Sequence, residues 1–338
     1  MKILGIESSC DETAASVIDG DIVLSDVIAS QIAIHQPYGG VVPELASRHH
    51  IMKIVPVVEA AMKEAGMALS SLDAIAATSG PGLVGSIVVG LQTAKSVAWA
   101  LNIPFVGVNH LRGHLLAARI QDGDNPIPEF PYMALLASGG HTGIYIVQGH
   151  NQMQCLGQTR DDAAGEAYDK VAKLLRLGYP GGPIIDTMAH TPGESIPFPQ
   201  ALRKRSSYEF SFSGIKTAVA QHVANLRKQN PTGPTEEEMR AIARGFQTAV
   251  VEILVRKVVL AAREKQIPSI VLAGGVAANS GLREHAAAVC AEYDIQLFAP
   301  NKARCTDNAS MIAYAGSLSI ADGERSDFNL APRANWPL

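Results

Sequence analysis

Two histidines four residues apart, His110 and His114 in HLRGH, are the most specific chemical signal in the chain. On a helix, residues i and i+4 project from one face, so both imidazoles reach one ion. Such a pair suits a divalent metal. Surface or capping histidines share this spacing, but here the pair opens a helix directly after a strand, where ligands of α/β proteins gather. A third ligand is expected from the other lobe, at the equivalent strand end, where Asp307 stands in CTDN. A carboxylate beside two imidazoles suits iron(II) or zinc. The same Asp307 also reads as the N-cap of the last helix, and Cys305 is a softer alternative ligand. A zinc metalloprotease would need Glu directly after the first His as general base, and position 111 is Leu.

Acidic candidates fall in two places. Asp11 and Glu12 lie in the first turn, ESSCDET. On DDAAGEAYDK, Asp162, Glu166 and Asp169 fall at i, i+4 and i+7, with Asp161 beside them. Such a face is ordinarily solvated. Ala163, Ala164 and Ala167 make the rest of that helix small and apolar, so the acidic face is also a candidate to hold hydroxyls of a ribose or an amino-acid group. Glycine pairs at Gly139-Gly140, Gly181-Gly182 and Gly274-Gly275 sit at strand ends or helix starts, where backbone without Cβ can approach phosphate. No GxxxxGK[ST] phosphate loop occurs. Asn279, after AGGVAA, reads either as an N-cap or as a hydrogen-bond partner for adenosine. Arg203, Lys204 and Arg205, with Lys216, Arg227 and Lys228, form a basic segment suited to phosphate contacts. Tyr208, Phe210 and Phe212 interleave with it in a strand-like alternation expected to serve the core.

These residues need elements to hold them. The 338 residues suggest about two domains, and 47% hydrophobic against 18% charged residues excludes a disordered chain. A net charge of −4 gives no global basic field for nucleic acid. Four cysteines without a CxxC pattern fit a reducing cytoplasm better than a disulfide framework. The charge-free stretch Ala74–Ala94 is broken by Ser79-Gly80-Pro81-Gly82, which predicts strand, turn and helix, not a membrane span.

The apolar patterning then gives the same unit twice: strand hairpin, strand, helix, strand, helix, strand, helix. ESSCDET corresponds to ASGGHTG, ATSGPGLVG to LAGGVAAN, and VNHLRGH to PNKARCTDN. Helices are predicted at about 43–65, 83–101, 235–265 and 278–290, with Thr235 and Glu238 forming a capping box for the third. The fold class is α/β, with two mixed-sheet lobes favoured over a single doubly wound sheet. The expected lobes are 1–120 and 121–338, the second carrying an inserted helical segment at about 157–234.

Ten motifs in order, ESSCDETAASV, GGVVPELASRHH, GPGLVG, NHLRGHLLA, LLASGGHTG, DDAAGEAYDK, PGGP, FSFSGIK, AGGVAAN and CTDNASMIAYAG, closely resemble the bacterial tRNA N6-adenosine threonylcarbamoyltransferase family. The resemblance runs from about Ile3 to Gly316. Ser8 stands where Thr is usual, and Asn109 where a His often precedes the metal histidine. The resemblance implies a duplicated actin-like, Hsp70-like ATPase fold around a nucleotide cleft. It implies metal ligation by His110, His114 and Asp307, and substrate contacts at Leu136, Ala137, Ser138, Gly139, Gly140, Asp169, Gly182, Asp186 and Asn279. Asp186 comes from the resemblance alone.

The implied reaction transfers threonylcarbamoyl from threonylcarbamoyl-AMP to N6 of adenosine 37, in the anticodon loop of tRNAs reading codons that begin with A. Asp11 or Glu12 is the candidate catalytic base for that nitrogen. Implied partners are a paralogue lacking the metal site, as heterodimer, and a small P-loop ATPase, all in the cytoplasm. The alternative is an ATP-dependent kinase or ATPase of the same fold, against which the histidine pair argues.

Overall fold

Runs of small and apolar residues, buried on both faces, write the first two strands, and a left-handed Gly20 (φ +65°) closes the tight turn from the second strand to the third. The computed structural model describes residues 1–121, 123, 125–200 and 207–338. It opens with β1 (Lys2–Glu7), β2 (Glu12–Asp19) and β3 (Ile22–Ser30). A short α1 (Ile32–His35) precedes α2 (Pro43–Glu64), followed by β4 (Ala74–Gly80), α3 (Val84–Leu101), β5 (Phe105–Asn109) and α4 (His110–Leu116). The sheet order is β3-β2-β1-β4-β5. β1 and β2 are antiparallel, whereas β1, β4 and β5 run parallel.

The pattern then repeats. β6 (Tyr132–Ala137), β7 (Thr142–Gly149), β8 (Gln152–Gln158), β9 (Ser269–Ala273) and β10 (Gln296–Phe298) form a sheet ordered β8-β7-β6-β9-β10. β6 is antiparallel to β7 and parallel to β9, as in the first sheet. The helices of this half are α5 (Ala164–Leu175), α6 (Gly181–Ala189), α7 (Ser213–Gln229), α8 (Glu236–Glu264), α9 (Ser280–Glu292) and α10 (Ser310–Ala321). Thr235 and Glu238 cap α8 reciprocally, as their spacing predicts.

Contacts divide the chain into two units. The first is Met1–Ile127, Gly149–Gln152 and Asp307–Leu338, and the second is Pro128–Gln148 and Met153–Thr306. This differs from the consecutive lobes expected, 1–120 and 121–338, because the tail returns to the first sheet. α10 lies so close to β1 and β4 that a Cβ on Gly5 would sit 2.4 Å from the Ala309 carbonyl. One on Gly316 would sit 2.3 Å from Ala76 Cβ. The opposite face of the first sheet, with Leu4, Ile6, Val17 and Ile75, packs on Ile54 and Val58 of α2 and Ile87 and Leu91 of α3. α3 is the one described helix long and apolar enough to cross a membrane.

In the second unit α8 runs through the core. Its Ile242, Phe246, Val250 and Leu254 belong to one buried cluster with Leu135, Tyr168, Phe210 and Leu272. The expected strand in FSFSG reduces to an isolated bridge between Thr159 and Phe210, while Phe210 and Phe212 are fully buried. Packing of the two rings, not ladder pairing, is what their alternation serves. α6 and α7 lie within the inserted helical segment, beyond DDAAGEAYDKVAKLL, the one helix the sequence reading placed there. Arg203, Lys204 and Arg205 lie outside the described residues.

Candidate metal centre

Three neighbouring parallel strands end side by side. β1 ends at Glu7, β4 carries Thr78 near its end, and β5 runs directly into His110 of α4. Asn109 Oδ1 accepts from the amides of Leu111 at 2.9 Å and Arg112 at 3.3 Å, capping α4. The seven residues of α4 supply the turn that sets the His114 and His110 rings edge to face, with centroids 4.7 Å apart. Both histidines are buried.

Asp307 Oδ1 lies 3.0 Å from His114 Nε2 and 3.5 Å from His110 Nε2. One ligand atom from each residue lies within 4.8 Å of the others. The N-cap alternative for Asp307 falls to its neighbour: Asn308 Oδ1 accepts from Met311 N at 2.9 Å and from Ser310 Oγ at 2.8 Å. All three ligands belong to the first unit, so the third does not come from the other lobe as expected. Cys305 is not in the group. Its buried thiol is pushed up by burial and contacts Arg283 and the Asn301 carbonyl.

Two imidazoles and one carboxylate converging in a mostly buried position fit a divalent transition metal with an open coordination position. Burial disfavours the His110 cation, but Glu7 and Asp307 outweigh it and raise His110 to about 9. Burial alone would raise Glu7; the charge and hydrogen bond of His110 hold it lower. Asp11 is buried, and Glu12 begins β2 with its carboxyl accepting from Ser30 Oγ at 3.1 Å. Burial, then Asp11 and Asp307, push Glu12 well above the carboxylate range. Glu12, one of the two candidate bases, thus feels the charge of the Asp307 carboxylate.

The second unit holds the expected substrate residues. Leu136 and Ala137 end β6 and are buried; Ser138, Gly139 and Gly140 turn the chain toward β7. A Cβ at Gly139, Gly140 or Gly182 would meet nothing, so the backbone there is open to a ligand. Asp169 Oδ1 accepts from Gly181 N at 2.7 Å, fixing the start of α6. Asp186 accepts from Ser280 N and Oγ and, at 3.0 Å, from Gln247 Nε2. Gln247 Oε1 accepts in turn from Asn279 Nδ2 at 2.8 Å. Asn279 also caps α9, its Oδ1 accepting from Leu282 N, so the capping role is observed. Sequence reasoning missed Gln247. Its signal was a glutamine among the apolar positions of a long helix, and it is buried.

The remaining acidic face serves the fold. Asp162 bridges Lys170 and Lys216, both at 2.7 Å, and Glu166 pairs with Lys170. Asp161 accepts from Phe212 N at 2.8 Å at the start of α7. Lys216 is thereby an intramolecular partner. GPGLVG, Gly80 to Gly85, also has the GxGxxG spacing after a strand and before a helix. Its donors stay within the chain, however: Gly82 N donates to the Ala334 carbonyl and Leu83 N to that of Ser9.

Residues 22–314 match the family model described as tRNA N6-adenosine threonylcarbamoyltransferase. The chain belongs to this family.

Named members of this transferase family match it from end to end. That of Sorangium cellulosum (strain So ce56) is 53% identical, covering 100% of this chain and 97% of the relative. Those of Syntrophus aciditrophicus (strain SB) and Geobacillus kaustophilus (strain HTA426) are 48% and 47% identical, with 98% and 96% of each relative covered. They cover 100% and 99% of this chain.

Solved structures at lower identity establish the fold. Full-length HypF, in its phosphate- and nucleotide-bound form, superposes with a TM-score of 0.59 at 13% identity, covering 96% of this chain and 47% of HypF. Component A of the (R)-2-hydroxyglutaryl-CoA dehydratase of Acidaminococcus fermentans gives 0.55 at 13% identity, covering 94% and 99%. The chain thus spans about half the length of HypF. The duplicated actin-like ATPase architecture agrees with the expectation from the repeated motifs.

Proposed function

We propose that this transferase forms N6-threonylcarbamoyladenosine, moving the threonylcarbamoyl group of threonylcarbamoyl-AMP to N6 of adenosine 37 in tRNAs that read codons beginning with A. The observation that carries the reading is the intact His110–His114–Asp307 group in a chain that matches the family along almost its whole length. A non-catalytic paralogue would lack the group, and an ATP-dependent kinase of the same fold would have no use for a histidine pair.

The reaction asks little covalent work of the protein. The adenine N6 attacks the carbamoyl carbon; a C–N bond forms, the C–O bond to phosphate breaks, and AMP departs. The mixed anhydride is already activated, so no enzyme nucleophile is required, and orientation supplies most of the gain. Asp11 or Glu12 is the proposed acceptor of the N6 proton; burial and neighbouring carboxylates raise Glu12, which makes it a stronger base than an ordinary carboxyl. When bound at His110, His114 and Asp307, iron(II) or zinc would polarise the threonylcarbamoyl end as a Lewis acid. Leu136 to Gly140, Asp169, Gly182, Asp186 and Asn279 are the proposed donor contacts. Base 37 lies in a single-stranded loop, from which a base can be splayed into a pocket. The proposed partners are a metal-site-lacking paralogue and a small P-loop ATPase, working in the cytoplasm.

The test incubates the chain with these partners, threonylcarbamoyl-AMP and unmodified tRNA, then digests the tRNA for mass spectrometry. Product with the wild type and none with His110→Ala supports the reaction and the metal group. Product with both removes His110 from an essential role. No product with either, beside a working family member, overturns the assignment.

A further inference from the structure

Glu7 is a fully buried carboxylate that the reaction as described does not use. It lies at the end of β1, one residue beyond the Ile6↔Ala77 pairing with β4. Its two oxygens have different tasks. Oε1 accepts from Ser9 N at 2.5 Å, inside its own turn. Oε2 takes the hydroxyl of Thr78 at 2.5 Å and lies 2.9 Å from His110 Nδ1. It thereby meets the nitrogen of His110 that faces away from Asp307, while Nε2 points toward Asp307.

An imidazole that donates from Nδ1 to a carboxylate has its Nε2 lone pair left for a metal, with its ring plane fixed. The second histidine has no such brace: His114 Nδ1 is buried with no hydrogen-bond partner among the described residues. The charges also match. A dication beside Asp307 and two neutral imidazoles keeps one uncompensated positive charge, and Glu7 cancels it inside a buried site, where an unbalanced charge is costly.

We infer that Glu7 is a positioning residue of the metal centre, holding His110 as the Nδ1–H tautomer with Nε2 toward the ion. Thr78 and Ser9 fix the carboxylate, so the ends of β1, β4 and β5 aim the first ligand together. The inference rests on the reading that His110, His114 and Asp307 bind a metal.

The probe is zinc alone, titrated into chelator-stripped protein against a competing chromophoric chelator. Glu7→Gln, at nearly unchanged size, is expected to weaken zinc binding by about 10- to 100-fold while circular dichroism reports a folded chain. A brace of purely structural importance would lower the melting temperature and leave zinc affinity alone. A folded Glu7→Gln protein that binds zinc like the wild type overturns the inference. A wild type that binds no zinc overturns the metal reading itself, so the two failures are separable.

Nitrogen NMR of histidine-labelled, zinc-loaded wild type decides the matter even if the variant does not fold. His110 is expected to show a protonated Nδ1 and a metal-shifted Nε2. A metal-shifted Nδ1 overturns the inference.

Discussion

The proposal that His110, His114 and Asp307 hold a metal rests on where their donor atoms converge, and the neighbouring donors show what convergence excludes. Cys305 is two residues from Asp307 in sequence, yet its thiol is committed to Arg283 and backbone carbonyls. Metal analysis of purified protein is therefore expected to give about one transition metal ion per chain in the wild type and in Cys305→Ser. His114→Ala and Asp307→Asn are expected to give well under half. Loss of metal in Cys305→Ser would return the thiol to the ligand set. Residue types and spacing made the histidine pair legible in sequence, because i, i+4 geometry is local. Glu7 was not legible. Its contact with His110 spans 103 residues and depends on strand order, which no local spacing records.

At the scale of elements, α4 is too short to be stable by itself, since isolated helices below roughly 12–15 residues are marginal in water. Its position comes from outside: the Asn109 cap, and Arg112, which donates to Ser319 Oγ at 2.7 Å and to the His150 carbonyl at 2.9 Å. Asn109→Ala is expected to cost about 1 kcal/mol in urea unfolding and to weaken zinc binding, because the first turn carries His110. Unchanged zinc affinity would show that strand β5 alone places the histidine. Elsewhere the elements brace one another electrostatically. Burial would raise Asp162, but Lys170 and Lys216 outweigh it and hold it below the ordinary value. Its contribution is then present above the unfolded pKa of about 3.9 and is lost as pH falls through the lower folded value. Asp162→Asn is expected to destabilise the protein at pH 7 and to have less effect below pH 3. A pH-independent difference would mean that packing, not charge, is what the residue supplies. Strands and long helices were legible from their periods. α6 and α7 were not, since PGGP reads as a turn and FSFSG as a strand until burial of the two rings takes precedence.

At the scale of the whole molecule, chain order and contact order part company. The duplication was legible because each half repeats the same sequence of periods. The return of residues 307–338 to the first unit was not, because only close approach reveals it. That return does more than seat α10. The segment beyond it is laid along the first unit as a strap. Ser326 N donates to the Phe105 carbonyl and Lys95 Nζ to that of Leu330, while Phe328 stacks on Phe105. Arg333 N donates to the Ser79 carbonyl at 2.8 Å, and Gly82 N to that of Ala334 at 3.2 Å. Asn109 Nδ2 donates at 2.9 Å to the Trp336 carbonyl, so the side chain that caps the metal helix is itself held by the strap. Deleting residues 333–338 removes these last three bonds. At about 0.5–1.5 kcal/mol each, the expected loss is about 2–4 kcal/mol, measured by urea unfolding. Zinc affinity should fall in the same protein. If stability falls while zinc affinity holds, the strap fastens the first unit without reaching the metal helix.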